Sequence, residues 1–293
     1  MYEFIQVGEK SGYINCPAKM GVYLASDSEV YLIDSGNDKD AGKKVRKLLE
    51  ERNWKLKGII NTHSNADHIG GNRYLQQQTG CRVFSRGMEA AFIQNPVLEP
   101  SFLYGGFPCK DLRHKFLMAA ESEVSDFSDP AFPRELEILD LPGHFLDMIG
   151  LRTPDGTVFL ADCISSKSTL DKYQVSFIYD VAAWLETLDR VEKLEAPVFV
   201  PAHADAAEDI RELVQENRKK VHEIAENLLE YLDTPKYFDA ILKQVFDRYQ
   251  LSMNFEQHVL VGSTIRSYLS WLKDTGRAEV IFENNYLMWK RAD

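Results

Sequence analysis

Thr62-His63-Ser64-Asn65-Ala66-Asp67-His68-Ile69-Gly70-Gly71 is where the reading of this chain begins. The segment follows Gly58-Ile59-Ile60-Asn61-Thr62, an apolar run of the kind that forms a buried strand. It precedes Gly71–Gln78, which has helical spacing and a stop signal at Gly80. Two imidazoles, an amide and a carboxylate therefore sit where an extended chain turns into a helix. In the extended part side chains alternate, so positions 63 and 65 point to the same side. Imidazole nitrogen and carboxylate oxygen suit zinc, iron or manganese. The glycines let backbones pack closely at the turn.

Working outward, Val22–Leu24 and Val30–Asp34 are β-type runs separated by Ser26-Asp27-Ser28-Glu29, which predicts a hairpin. Ser35-Gly36-Asn37-Asp38 reads as a turn. Ala41–Arg52 reads as a helix with Val45, Leu48 and Leu49 as its apolar stripe, and Cys81–Ser85 as a strand. Strands return at Leu136–Asp140, Met148–Thr153 and Thr157–Ala161, the last two joined through Pro154-Asp155-Gly156. Val181–Leu194 is helical, and Pro197–Pro201 is a short strand. The alternation predicts an α/β layer structure with helices covering a sheet. Residues 86–135 are too long for a passive connection and are expected to form a lid or pocket wall. From about residue 207 the pattern becomes helical, over Ile210–Leu232, Tyr237–Tyr249 and Glu256–Thr275. It ends in a strand–turn–strand signal, Ala278–Phe282 and Tyr286–Lys290. We expect a catalytic domain over 1–206 and a small helical, winged-helix-like domain over 207–293.

Three further loops carry the same chemistry as the opening segment. Pro142-Gly143-His144 follows Leu136–Leu141, Asp162 ends Val158–Ala161, and His203 follows Pro197–Val200. Each group stands past the C-terminal end of an apolar run, where α/β sheets present functional side chains. A single loop histidine is more often a hydrogen-bonded structural residue than a ligand. Four such loops in order are a different matter.

Together these residues resemble the metallo-β-lactamase-fold superfamily, with its T-H-x-H-x-D-H motif, a later Gly-His, a strand-end Asp and a final His. The resemblance covers about residues 1–205 and extends to Tyr31-Leu32-Ile33-Asp34-Ser35-Gly36, where Asp34 is expected to support the site rather than ligate. It implies a four-layer αββα sandwich of two mixed sheets with the metals at one edge. By the same resemblance, His63, position 65 and His144 hold one metal, Asp67, His68 and His203 the other, and Asp162 bridges them. Asn65 departs from the family's usual His, and an amide oxygen is a weaker zinc ligand than imidazole. The second site should therefore fill first. The implied activity is metal-dependent hydrolysis of an ester, thioester, lactone or related small molecule. Its cofactor would be one or two Zn2+, with Mn2+ or Fe as alternatives, and Asp67 would orient water and carry a proton. A second reading takes His63, His144 and Asp162 as a two-His-one-carboxylate iron set, resembling persulfide dioxygenases. A third takes Asn65 as the mark of a decayed site in a non-catalytic binding protein.

The rest of the sequence narrows partners more than substrate. The 293 residues are 44% apolar and 27% charged with a formal net charge of −11, which disfavours nucleic acid and leaves no membrane-length apolar run. Residues 215–293 hold 11 basic and 12 acidic residues, so the C-terminal module lacks the basic footprint of a DNA reader. Its expected role is packing, pocket closure or homodimer formation. Four dispersed cysteines, and no basic-then-apolar leader at Met1-Tyr2-Glu3-Phe4-Ile5, predict a cytoplasmic protein with reduced thiols. Lys167, Lys172, Tyr173, Tyr179 and His114 are candidate substrate contacts. Phe92, Phe102, Tyr104 and Phe107 are expected in a pocket wall or a dimer surface. Cys163, next to Asp162, should face the core, and His222 and His258 should be ordinary helix residues.

Overall fold

The computed structural model describes residues 2–292; Met1 and Asp293, the outer ends of the two expected domains, lie outside the described residues. The chain opens with an antiparallel meander: β1 (Glu3–Gln6), β2 (Ser11–Asn15), β3 (Met20–Leu24) and β4 (Glu29–Ile33). Helix α1 (Lys39–Glu51) then crosses over to β5 (Lys55–Ile60), which lies parallel to β4. The short α2 (Ala66–Ile69) and α3 (Asn72–Thr79) lead to β6 (Arg82–Phe84), parallel to β5. These six strands form one mixed sheet in sequence order. The second mixed sheet has the order β10-β9-β8-β7, formed by β7 (Glu137–Asp140), β8 (Ile149–Arg152), β9 (Val158–Ser165) and β10 (Phe199–His203).

Alternation along the strands builds the layers. In β4, Val30 and Leu32 face Val45, Leu48 and Leu49 of α1, while Tyr31 and Ile33 face inward. The inward set meets Ile149, Leu151, Phe159 and Val200 of the second sheet, giving an aromatic-rich core between the sheets. On the far side, Val158 and Leu160 pack against Leu188 and Val191 of α7 (Val181–Val191) and Val214 of α8 (Arg211–Tyr231). Each such fully buried aliphatic side chain contributes roughly 1.5–3 kcal/mol of transfer free energy. The result is the expected αββα sandwich.

Residues 86–135 fold as α4 (Gly87–Gln94), α5 (Leu98–Tyr104), a 3-10 turn (Lys110–Leu112) and irregular chain. After α8 come α9 (Phe238–Arg248) and α10 (Phe255–Asp274), then the hairpin β11 (Ala278–Glu283) and β12 (Tyr286–Arg291). Asn284 and Asn285 form its turn with positive φ, a conformation asparagine tolerates. A bridge between Lys236 and Trp289 ties the hairpin to the α8–α9 connection. These helices do not stand apart from the sandwich. Ile224, Leu228, Leu242, Ile265 and Leu269 share one apolar cluster with Val175, Ile178, Val181 and Trp184. No helix among the described residues is long and apolar enough to cross a membrane. All four cysteines are free thiols.

Two backbone features place the site. Ala161 adopts φ 50°, and the β9–β10 register shifts beside it, so β9 kinks at Asp162 and then continues to Ser165. The sequence reading ended this strand at Ala161; an alanine gives no signal for a left-handed kink. Cys163, next along, is fully buried in the outer core as expected. Gly143, before His144, has φ 123°, and a Cβ there would lie 2.4 Å from the backbone nitrogen of Trp184. Gly143→Ala should therefore displace α7. We expect a loss of roughly 1–3 kcal/mol or more, read as a lower urea midpoint with unchanged slope.

Candidate metal centre

The four loops converge at one edge of the sandwich. His63 follows β5. Asn65 is the residue before α2, with extended backbone, and its side chain makes no capping bond to that helix. Asp67 and His68 lie in α2. His144 follows β7, Asp162 sits at the kink in β9, and His203 ends β10. Two groups of three have potential ligand atoms within 4.8 Å of one another: His63, His144 and Asp162, and Asp67, His68 and His203. Asp162 spans them. Its Oδ1 is 3.1 Å from His68 Nε2, and its Oδ2 is 3.1 Å from His203 Nε2 and 3.6 Å from His144 Nε2. Asp67 Oδ2 is 3.6 Å from both His68 Nε2 and His203 Nε2.

Hydrogen bonds on the far side of each ring explain why the same nitrogen faces inward. Asp34, itself at φ 65°, accepts from the Thr62 backbone N–H at 2.8 Å, the Thr62 hydroxyl at 2.7 Å and His68 Nδ1 at 2.8 Å. With the Thr62 hydroxyl donating to Asp34, its oxygen is free to accept from His63 Nδ1 at 2.9 Å. His144 Nδ1 donates to the Phe177 carbonyl at 3.0 Å and His203 Nδ1 to the Pro17 carbonyl at 3.2 Å. Every Nδ1 thus carries its proton outward, which turns Nε2 toward the centre, where it offers a lone pair once the ring is neutral. A third triplet, Asp34, His63 and His68, is accounted for by these bonds.

The residues present fit a divalent cation. His63 Nε2, His68 Nε2 and Asp162 Oδ1 are buried and make no aligned hydrogen bond, although the last two lie 3.1 Å apart. Buried polar atoms are normally satisfied, and these three face one small volume together with two further imidazoles and a second carboxylate. The nitrogen and oxygen set matches borderline divalent metals. The electrostatics agree. Burial holds His63 well below its usual range, with His68 adding to the effect. Burial alone would depress His68 and His203, but the carboxylates outweigh it. Asp162, Asp67 and Asp34 hold His68 well above its usual range, and Asp162 and Asp67 push His203 up to about 10. Asp162 is held well below the carboxylate range, His203 and His68 outweighing the opposing effect of burial.

Asn65 lies with the ligand groups. Its Oδ1 is 3.1 Å from His144 Nε2, and its Nδ2 donates to Glu99 Oε1 at 2.9 Å. Glu89 holds the same loop from α4, accepting from the Ser64 N–H at 2.8 Å and hydroxyl at 2.6 Å and from the Asp147 N–H at 2.8 Å. Burial pushes its carboxyl up to about 7. The sequence reading missed both glutamates. Their only signal was a charged residue inside each apolar helix of the 86–135 segment.

A cavity of about 700 Å³ opens over the cluster. Leu103 and Leu117 of the 86–135 segment line it. Leu260, Val261 and Thr264 of α10 also line it, and α10 packs against that segment through Val259. Lys172 and Tyr173 line the cavity; Lys167, Tyr179 and His114 do not. Tyr179 instead packs on Phe102 and Phe145, and His114 sits 3.6 Å from Glu256. The expected aromatic wall is also absent. Phe92 and Phe102 are part of an aromatic cluster around Phe145, Tyr104 packs on Phe255, and Phe107 is 75% exposed. Phe116 and Phe177 are the phenylalanines on the cavity. His222 and His258 lie on α8 and α10, outside the cluster.

Comparison with known proteins agrees with this geometry. The family model described as the metallo-beta-lactamase superfamily matches residues 21–203. A Beta-lactamase-like protein 2 homolog of Drosophila melanogaster is 23% identical over 64% of this chain and 58% of its own length. A hydroxyacylglutathione hydrolase of Bradyrhizobium sp. (strain ORS 278) is 30% identical over 49% of this chain and 48% of its own. The chain thus spans about half the length of these curated relatives. Among solved structures, a beta-lactamase domain protein from Burkholderia ambifaria superposes with a TM-score of 0.74 at 13% identity, covering 99% of this chain and 94% of that one. A metallo-beta-lactamase family protein from Thermus thermophilus gives 0.70 at 18% identity, covering 98% and 97%. These two likenesses establish the fold over the C-terminal helices as well.

Proposed function

Because this chain belongs to the metallo-beta-lactamase superfamily, we propose that it is a metal-dependent hydrolase of a small ester, thioester or lactone. The observation that carries this reading is the set of buried atoms without an aligned hydrogen bond, His63 Nε2, His68 Nε2 and Asp162 Oδ1, in a centre that opens into a cavity. In this reading Asp67, His68, Asp162 and His203 hold the tighter cation, and His63, His144, Asp162 and the Asn65 oxygen the weaker one. A bound zinc supplies Lewis acidity and lowers the pKa of water toward ~7.

The chain's own residues do the rest. Asp67 has a half-exposed side chain, so it can orient a water and move a proton between it and the leaving group. His68 and His203 keep Asp67 ionised, well below the usual carboxylate range against the effect of burial. Leu103, Leu117, Leu260 and Val261 favour an apolar acyl portion, and Lys172 is the one lysine or arginine among the described lining residues. The hydroxyacylglutathione hydrolase relative supports a thioester among the candidates. We further propose that residues 207–293 act as a winged-helix-like unit that closes the pocket through α10, with neither nucleic acid nor membrane as partner.

The test is hydrolysis of an ester, thioester, lactone and phosphodiester panel with and without chelator. Activity that survives complete metal removal contradicts the mechanism. The His63–His144–Asp162 triplet also fits an iron oxygenase. Metal analysis separates the readings: zinc or manganese supports the hydrolase, stoichiometric iron the oxygenase, and no metal a binding protein. Asn65→His should raise the affinity for the second metal equivalent by roughly tenfold or more, since imidazole replaces an amide oxygen. Zinc titration of the metal-free protein reads this directly.

A further inference from the structure

We infer that Glu99 is a positioning residue that pins the Asn65 amide so that its oxygen, rather than its nitrogen, faces the weaker cation site. This rests on the hydrolase reading above and adds to it a residue from outside the ligand loops.

The argument starts from what His144 allows. Its Nδ1 donates to the Phe177 carbonyl, a group that only accepts, so the Nε2 of the neutral ring carries a lone pair and no proton. Asn65 Oδ1 lies 3.1 Å from that Nε2 and is also only an acceptor. Two lone pairs at this distance do not bond to each other. Left to itself, the amide would turn over and donate its NH2 group to His144 Nε2, making a hydrogen bond and masking the imidazole lone pair. Asn65 does not do this because Nδ2 is engaged elsewhere, donating to Glu99 Oε1 at 2.9 Å. Glu99 is fitted for that task. It is buried, it belongs to α5, and its Oε1 is the atom placed against Asn65 Nδ2. With the nitrogen held there, Oδ1 and His144 Nε2 remain side by side, both offering lone pairs to the space that His63 Nε2 faces.

The amide therefore acts as an oriented donor at the position where the family motif carries histidine. The α5 segment that lines the cavity also sets the second cation's coordination.

Cobalt(II) alone, titrated into metal-free protein, tests the inference through its visible absorption and the affinity of each equivalent. Wild type should take up two equivalents, the second more weakly. Glu99→Met keeps the buried volume and removes the acceptor. It should weaken the second equivalent by roughly 10- to 100-fold, the usual effect of losing a group that orients a ligand, and leave the first within about threefold. Glu99→Gln keeps an acceptor oxygen and should stay within about threefold of wild type at both. Asn65→Ala should lose as much as Glu99→Met, and the double variant no more than either alone. Thermal melts with chelator present report whether each variant folds. If Glu99→Met does not fold, Asn65→Ala and Glu99→Gln carry the test.

Wild-type binding of the second equivalent by Glu99→Met or by Asn65→Ala overturns the inference, as does equal weakening by Glu99→Met and Glu99→Gln. Uptake of one equivalent by wild type overturns it while leaving the hydrolase reading in place. Uptake of none removes both.

Discussion

Asp162→Ala is expected to abolish uptake of both cations and to lower kcat/KM by roughly three orders of magnitude or more, about 4 kcal/mol of transition-state stabilisation. The expectation follows from the reach of one carboxylate. Its two oxygens lie within 3.6 Å of the Nε2 atoms of His68, His144 and His203, so its one carboxylate reaches both ligand groups. Among the described residues, removing it leaves Asp67 as the one ligand carboxylate facing the four converging imidazoles, with Asp34 behind His68, so less negative charge offsets a cation there. Asp162→Asn keeps the shape and one oxygen but not the charge, and should be nearly as inactive while folding normally. Elemental analysis of metal per chain, with hydrolysis of whichever panel substrate the wild type turns over, reads both outcomes. A variant that retains two metals would show that Asp162 is not shared.

Asp34→Ala should be the next most damaging change, although Asp34 sits behind the ligands. Its carboxylate accepts from the Thr62 N–H, the Thr62 hydroxyl and His68 Nδ1, and through Thr62 it sets the proton on His63. Truncation orphans these three buried donors and loosens a fourth, Asn61 Nδ2 at 3.4 Å; each costs about 1–3 kcal/mol if unmet, and two imidazoles are freed to change tautomer. We expect metal affinity to fall roughly 10- to 100-fold. We also expect the metal-free protein to lose about 3 kcal/mol in urea unfolding, since buried orphan donors are seldom fully additive. Asn is comfortable at φ 65°, so Asp34→Asn separates backbone strain from lost charge. It should keep more stability than Ala yet still bind metal weakly. Unchanged affinity in both variants would mean that the ring orientations are set elsewhere.

The parts of this molecule that were legible in its sequence are those with local signals. The strand-to-helix turn around His63–Gly71 could be read from an apolar run, a polar cluster and glycines, and it lies where expected between β5 and α3. The β3–β4 and β8–β9 hairpins announced themselves through turn residues, and Asn284-Asn285 did the same for β11–β12. Asp34 was expected to support the site only through the resemblance of Tyr31–Gly36 to the family's turn.

What stayed hidden depends on contacts between distant segments. Phe177 and Pro17 act through carbonyl oxygens, which every residue possesses, so no side chain marks them. Glu99 meets Asn65 across 34 positions, and nothing local distinguishes it from a surface acid until its burial is known. Lys167 and Tyr179 flank the cavity residues in sequence but do not line it. Lys167 is the first residue of α6 (Lys167–Tyr173), whose Lys172 and Tyr173 do reach the cavity, and Tyr179 joins the Phe102–Phe145 aromatic contacts. The α10 side of the pocket was out of reach because nothing in residues 255–274 indicates which sheet edge that helix will cover.

Crystals grown with zinc and measured at the zinc absorption edge test the central claim most directly. The account expects a strong anomalous peak about 2.0–2.2 Å from His68 Nε2, His203 Nε2 and a carboxylate oxygen, with a weaker one among His63, His144 and Asn65. Zinc bound only at the surface, with no anomalous density among these residues, would contradict it.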